Sequence, residues 1–210
     1  MKEATSKEKI LKNIRQGLIY KTPDTFADLD IDSSVFAGSD EDFAIQFAHS
    51  FTQVAGKFVY CATVDECIQG LQSLLKDSQH IFCFENSIQQ LLKNAEITYQ
   101  DSDTHLKDAL VGITTCEALL ARTGSILISS QSSSGRRMSV FPPVHIVIAY
   151  THQLFADIND ALHHVKNKNE GKFPSLLSIT TGPSRTSDIE KTLVLGAHGP
   201  KELFVFLIEG

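Results

Sequence analysis

Three short stretches of this 210-residue chain concentrate the side chains that hold anions and move protons. The densest is T-T-G-P-S-R-T-S-D-I-E, residues 180–190, directly after an apolar, β-branched run. Gly182 and Pro183 impose a sharp turn. Ser184, Arg185, Thr186 and Ser187 then offer hydroxyls, a guanidinium and backbone N–H groups where a helix would begin, which is equipment for a carboxylate or a phosphate. The plainer reading has Ser184 capping a short helix and Arg185 and Asp188 in ion pairs. Asp188 and Glu190 add two carboxylates for acid–base work, sharing a face if the segment is extended and not if it is helical. The second stretch, G-A-H-G-P at residues 196–200, holds His198 in a tight loop between two expected strands, with glycines that let a ligand approach the backbone. His198 is therefore the first choice for proton transfer. For these groups to serve one ligand, the two glycine-bounded turns must fold side by side. The other seven histidines lack such settings and are assigned structural roles.

The third stretch is E-A-L-L-A-R-T-G-S, residues 117–125. It is expected to end a helix at Gly124 and enter a strand, with Arg122 and Thr123 at the helix C-terminus, where arginine satisfies exposed carbonyls and the helix dipole. Glu117 is either a buried nucleophile or base, or an exposed helix carboxylate. Beyond it, S-S-Q-S-S-S-G-R-R-M-S at residues 129–139 is polar and doubly basic; Arg136 and Arg137 either clamp an anionic substrate or belong to a solvated loop. Nothing matches G-x-G-x-x-G after a strand, G-x-x-x-x-G-K-[ST], H-E-x-x-H or G-x-S-x-G, which removes most of the weight from dinucleotide, P-loop, zinc-protease and serine-hydrolase readings.

The elements that must position these groups follow from periodicity. Thr5 and Glu8 have capping-box spacing ahead of Ile10, Leu11, Ile14 and Leu18 on one helical stripe. Residues 21–42, with Pro23, Gly38 and repeated Asp, read as a linker, so residues 1–40 form a helical arm and residues 41–210 a domain. Phe43, Phe47, Phe51 and Val54 predict a helix stopped by a left-handed Gly56. K-F-V-Y-C-A, a helix opened by Thr63 and Glu66, and H-I-F-C-F-E then predict a parallel strand–helix–strand crossover. Shorter units follow at 97–99 and 111–114, then a helix at 116–121. The second half is strand-rich: S-I-L-I-S-S, V-H-I-V-I-A-Y, L-L-S-I-T, T-L-V-L-G and L-F-V-F-L-I-E, with one clear helix at 157–168. Such runs suit strands buried on both faces, and the whole reads as a three-layer α/β sandwich around a mixed, mostly parallel sheet.

Composition agrees. With 42% apolar and 21% charged residues the chain is globular, and 19 basic against 25 acidic residues give −6, no field for nucleic acid or an anionic membrane. No apolar window is long enough for a membrane span, and the charged N-terminus does not resemble a secretion signal, so a cytoplasmic protein is expected. Cys61, Cys67, Cys83 and Cys116 are dispersed without C-x-x-C, which favours buried free thiols over disulfides, structural zinc or an iron–sulfur cluster. No cofactor or metal is expected on this chain.

The stretches T-T-C-E-A-L-L-A-R-T-G-S, F-P-P-V-H-I-V-I-A, T-G-P-S-R-T-S-D-I-E and L-V-L-G-A-H-G-P-K-E-L-F-V-F-L-I-E resemble the LUD-domain family of the lactate utilization protein C type, closely from about Val111 onward and more loosely upstream. The resemblance implies a Rossmann-like sandwich similar to the ribose-phosphate isomerase, glucosamine-phosphate deaminase and CoA-transferase superfamily. It also implies a part in oxidising L-lactate to pyruvate beside an iron–sulfur subunit and a cysteine-rich subunit, which would carry the clusters. The family's signature positions fall on Glu117, Arg122, Thr123, Gly124, Gly182, Pro183, Ser184, Arg185, Thr186, Asp188, Glu190, Gly196, His198, Gly199 and Pro200. On that basis His198, Asp188, Glu190 and Glu117 are the catalytic candidates. Arg122, Thr123, Arg136, Gly182, Ser184, Arg185, Thr186, Gly196 and Gly199 are the candidates for holding a small anionic ligand. The competing expectations are a non-catalytic scaffold or regulator of the oxidase, and an enzyme of the same superfamily, either with Glu117 as a CoA-transferase-type nucleophile or with the serine-rich loops binding a sugar phosphate.

Overall fold

The computed structural model describes residues 5–19, 36, 40–134, 137–186 and 194–210. Arg136, Ser187, Asp188 and Glu190 lie outside the described residues. Tertiary contacts divide the chain into Met1–Asp40 and Glu41–Gly210. In the first unit, α1 (Ser6–Ile19) opens with the expected capping box: Thr5 N donates to Glu8 Oε2 at 2.7 Å and Glu8 N to Thr5 Oγ1 at 3.4 Å. Its apolar stripe, Ile10, Leu11, Ile14 and Leu18, is exposed.

The second unit runs α2 (Phe43–Gln53), β1 (Lys57–Cys61), α3 (Val64–Leu75), β2 (Ile81–Phe82), α4 (Asn86–Asn94), β3 (Val111–Thr114), β4 (Ala118–Leu120), β5 (Ser125–Ser129), β6 (Val144–Tyr150), β7 (Leu154–Phe155), α5 (Ile158–Lys168), β8 (Leu177–Thr180), β9 (Arg185–Thr186), β10 (Val194–Leu195) and β11 (Glu202–Ile208). The central sheet has the order β1-β11-β6-β3-β2 and is parallel throughout. The mixed sheet expected from the sequence thus divides in two. The antiparallel pairings β4–β5 and β5–β8, with β7 parallel to β4, form a second sheet, and β9–β10 is a separate two-stranded ribbon.

Alternation along the buried strands assigns the layers. Ile146, Ile148, Phe204, Phe206 and Ile208 pack with Cys67, Leu71 and Leu75 of α3 and Ile88, Leu91 and Leu92 of α4. Val147, Ala149, Leu203, Val205 and Leu207 face the other way, against Phe47 and Phe51 of α2 and against Leu119, Ile126 and Ile128 of the second sheet. The far side of that sheet, Ala118, Leu120 and Leu127, receives Ala161 and Val165 of α5. The result is a Rossmann-like α/β sandwich with a second sheet inserted on one face. Phe47 and Phe51, both fully buried and stacked at 5.2 Å, seat α2. Each such side chain contributes about 1.5–3 kcal/mol, against 0–1 kcal/mol for half-exposed ion pairs such as Lys57–Glu202 and Arg137–Asp103.

Two local expectations are corrected. Residues 116–121 are not helical: A-L-L pairs with β5 as a strand buried on both faces, where a continuous apolar run carries no period that separates helix from strand. The left-handed residue ending α2 is Ala55, at φ 63°, and not Gly56. Gly56 is required for a different reason, since a Cβ there would lie 2.4 Å from the Phe51 ring.

Candidate functional site

Open parallel sheets bind ligands beyond the carboxyl ends of their strands. At that end of β2 and β3 lies a cavity of about 450 Å³, bordered by Glu85, Asn86 and Ser87 after β2, Thr115 and Glu117 after β3, and Lys168 at the end of α5, with residues 131–133 across from them. Two buried carboxylates share it, Glu85 and Glu117.

Glu117 is not the exposed helix residue that one reading of its spacing expected; it lies between β3 and β4 and is 9% exposed. Both its oxygens are engaged. Ser129 Oγ donates to Oε1 at 2.8 Å and Lys168 Nζ to Oε2 at 2.7 Å. Burial alone would raise its pKa, but the Lys168 and Ser129 hydrogen bonds and the lysine charge outweigh it and hold the carboxyl below the usual glutamate range. Glu117 is therefore ionised at neutral pH and its lysine is fixed beside the cavity. Cys116 also borders this space, but burial pushes its thiol well up, so it is no nucleophile at neutral pH.

Glu85 escaped the sequence reading, which saw only the end of an apolar run. It is 6% exposed, and its backbone begins α4: its carbonyl accepts from Ile88 N at 3.0 Å and Gln89 N at 2.9 Å. Its side chain makes no capping bond; Oε2 accepts from Thr115 N at 2.6 Å, while Oε1 is buried without a hydrogen-bond partner. The sequence signal was present in F-E-N-S: an acid directly after a buried strand, then a helix start.

The residues of the glycine motifs make close contacts within the fold. Gly124 (φ 61°) and Gly182 (φ 76°) clasp the C-terminal half of α2: an added Cβ would lie 2.3 Å from Phe51 N and 2.3 Å from Val54 O respectively. Gly124 lies in the turn between β4 and β5 and not at a helix end. Around it, Thr123 Oγ1 and Ser125 Oγ are 2.7 Å apart, Ser125 Oγ and Thr181 Oγ1 2.8 Å, and Ser50 Oγ donates to Arg122 O at 3.3 Å. Arg122 does not sit at a helix C-terminus; its Nε and Nη2 donate at 3.0 and 2.9 Å to Asp157, the residue capping α5. The Arg122 hydrogen bonds hold the Asp157 carboxyl below the usual range.

The two later turns do fold side by side. Ser184 N donates to Pro200 O at 2.8 Å, Gly196 N to Ser184 O at 3.0 Å, and Arg185 and Thr186 pair with Leu195 and Val194. A Cβ on Gly199 would meet Ser184 Cβ at 3.1 Å, and one on Gly196 (φ 76°) would collide with Lys201. Their side chains part, however. Arg185 Nη2 donates to Val54 O at 3.1 Å, at the end of α2, whereas the exposed His198 borders a cavity of about 350 Å³ with Val140, Phe141 and Pro143, and Arg185 is not among that cavity's residues. Among the described residues no cluster of three His, Cys, Asp or Glu side chains is placed to hold a metal ion, and no helix is long and apolar enough to cross a membrane. All four cysteines are buried free thiols.

Fold and cavity together define an α/β domain with a polar crevice at its parallel strand ends. The family model described as the LUD domain matches residues 44–208, and the chain belongs to that family. Among curated proteins it is similar to Lactate utilization protein C of Shouchella clausii, 34% identical over 100 residues, covering 47% of this chain and 44% of that protein. It is also similar to an uncharacterized protein of Neisseria meningitidis serogroup B, 33% over 97 residues (46% and 41%), and to Lactate utilization protein C of Bacillus subtilis, 33% over 104 residues (49% and 43%). The match thus spans less than half the length of these relatives. A DUF162 family protein of Deinococcus radiodurans, known from its crystal structure, has the same fold, with a TM-score of 0.60, 18% identity, and coverage of 82% of this chain and 99% of that one.

Proposed function

We propose that this chain serves lactate utilization as the acid-binding member of a complex, holding a small carboxylate in the crevice of Glu85, Glu117 and Lys168 while an iron–sulfur partner takes the electrons. The relatives named Lactate utilization protein C support the process. The observation that carries the site is the Lys168–Glu117 pair, a cation fixed by a buried carboxylate at the strand ends, where an anion would meet it and the N-terminal end of α4 together. No amino-acid side chain accepts a hydride, so oxidation of an alcohol here needs a redox group from elsewhere. Dispersed single thiols offer no quartet for a cluster, which favours the partner as its holder.

The test is lactate-dependent dye reduction by the chain alone and reconstituted with the iron–sulfur and cysteine-rich subunits. Turnover is expected only in the complex, and it falls at least tenfold with Lys168→Met while His198→Ala and Arg185→Ala retain it. Loss with His198→Ala and not with Lys168→Met would move the site to the paired glycine turns, with Asp188 or Glu190 as proton partner. The scaffold reading has an observation of its own, because Arg122, Gly124 and Gly182 hold α2 and α5 in place. Full activity of all three variants in the complex would establish it.

A further inference from the structure

Resting on the reading of this chain as one member of a complex, we propose that a groove between α2 and the carboxyl ends of β1, β6 and β11 receives the iron–sulfur partner, through a helix that presents apolar side chains flanked by lysine or arginine.

The groove encloses about 810 Å³ and has an apolar floor: Ala44, Phe58 and Leu154 rest on the core that Phe47 and Phe51 form with the central sheet. Its rim stands in water. Phe43, Ile45 and Tyr60 are 39%, 53% and 47% exposed, and all three border the same depression. A single exposed apolar residue is ordinary, whereas a contiguous set with two aromatic rings is what the buried centre of an interface is made of. Ala44 and Ala48, one turn apart on α2, line the groove as well, and side chains so small let a second helix approach closely.

Charge specifies the occupant. Asp42 and Glu209 border the groove, and among the described residues around it there is no lysine or arginine. Tyr60 Oη donates to Glu209 Oε2 at 2.9 Å. That bond first, with the charges of Glu209, Asp42 and Glu66 adding to it, raises the Tyr60 hydroxyl above the usual tyrosine range. His49, on the rim, has its Nδ1 4.0 Å from a carboxylate oxygen of Glu41. An acidic segment seated here would set like charges against one another, whereas a basic one is matched.

Position selects the partner. Thr151 and Leu154 border the groove, and between them Gln153 Nε2 donates at 2.6 Å to the carbonyl of Cys116, a residue that borders the crevice of Glu85, Glu117 and Lys168. One hydrogen-bonded side chain links the two hollows, so a chain seated in the groove lies beside the crevice. The subunit that takes the electrons is the one that needs that place.

The test mixes the full chain with the iron–sulfur subunit and, separately, with the cysteine-rich subunit, with affinity read by isothermal titration calorimetry. The variants are Ile45→Asp and Glu209→Lys, both at exposed positions, and Ile179→Asp is the control, an isoleucine 45% exposed outside the groove. An unchanged urea midpoint shows that each variant is folded. Ile45→Asp and Glu209→Lys are expected to weaken binding of the iron–sulfur subunit at least about tenfold, and Ile179→Asp to stay within about twofold of the unaltered chain. Added salt should weaken the unaltered complex and leave Glu209→Lys less affected. Binding of the iron–sulfur subunit by folded Ile45→Asp as tightly as by the unaltered chain would overturn the proposal. So would a loss confined to the cysteine-rich subunit, or self-association of the chain alone that Ile45→Asp abolishes, which would make a second copy the occupant. Failure of the unaltered chain to bind either subunit would instead bring down the reading of it as a member of the complex.

Discussion

Replacing Gly124 by alanine probes why the glycine motifs have the composition they do. The turn holds Gly124 at φ 61°, and a Cβ there would lie 2.3 Å from Phe51 N, 2.5 Å from the Ser50 carbonyl carbon and 2.6 Å from Phe51 Cα. The left-handed conformation costs a residue with a Cβ about 1–2 kcal/mol, partly offset by about 0.4–1 kcal/mol from the stiffer unfolded chain. The collision is with helix backbone, which cannot rotate aside, and relieving it by shifting α2 adds about 1–3 kcal/mol. The sum is about 2–4 kcal/mol. Gly171 supplies the control, because its φ is 84° but nothing lies within 4 Å of its added Cβ, so Gly171→Ala should cost about 1 kcal/mol. Urea unfolding monitored by circular dichroism reads both, with a lower midpoint at unchanged slope. Gly182→Ala, pressing on Val54 O just past the end of the same helix, should match Gly124→Ala, and the double variant should cost less than the two together because one shift of α2 relieves both. Costs for Gly124→Ala and Gly171→Ala within about 0.5 kcal/mol of each other would refute the close-approach reasoning.

Lys168→Met leaves Glu117 buried without its cation, so its titration, followed by carbon NMR of the carboxyl, should move up from a value now below the usual glutamate range; no movement would mean that the lysine does not hold it. Asp157 is likewise depressed, by Arg122, so the stability it contributes is complete above the ordinary aspartate pKa near 4 and is lost as pH falls through the lower folded value. The difference in unfolding free energy between the unaltered protein and Asp157→Asn should therefore narrow below about pH 4 and be constant above about pH 5. Burial pushes the Cys67 and Cys83 thiols up to about 12 and also raises Cys61 and Cys116, so a thiol reagent at pH 8 should find none of the four until denaturant is added, and fast labelling of the folded chain would contradict their burial.

What the sequence made legible was local. The capping pairs Thr5–Glu8 and Thr63–Glu66, the phenylalanine stripe of α2 and the β-branched runs of β6 and β11 each carry their own period or composition, and each forms the element expected. The adjacency of the Gly182 and Gly196 turns was also readable, from two short runs flanking tight loops. What depends on distant partners was not. Whether A-L-L-A is helix or strand is decided by its pairing with β5 and by the central sheet and α5 on its two faces, and whether the antiparallel strands share the parallel sheet is a matter of pairing across the chain. The polarity of Glu117 is decided by Lys168, 51 residues on, and that of Glu85 by Thr115, 30 residues on. Arg185 also donates to a carbonyl 131 residues earlier, a contact that no local pattern announces.

The place of β11 in the central sheet sets the timetable of folding. It lies between β1 and β6, with Lys57 in register with Phe204, so β1 has no strand beside it until a segment almost 150 residues later has been made. At ribosomal speeds of about 5–20 residues per second that is a wait of roughly 7–30 s, during which a nascent edge rich in apolar groups stands open. A truncation before residue 202 would make the exposure permanent and leave an open strand edge that favours aggregation.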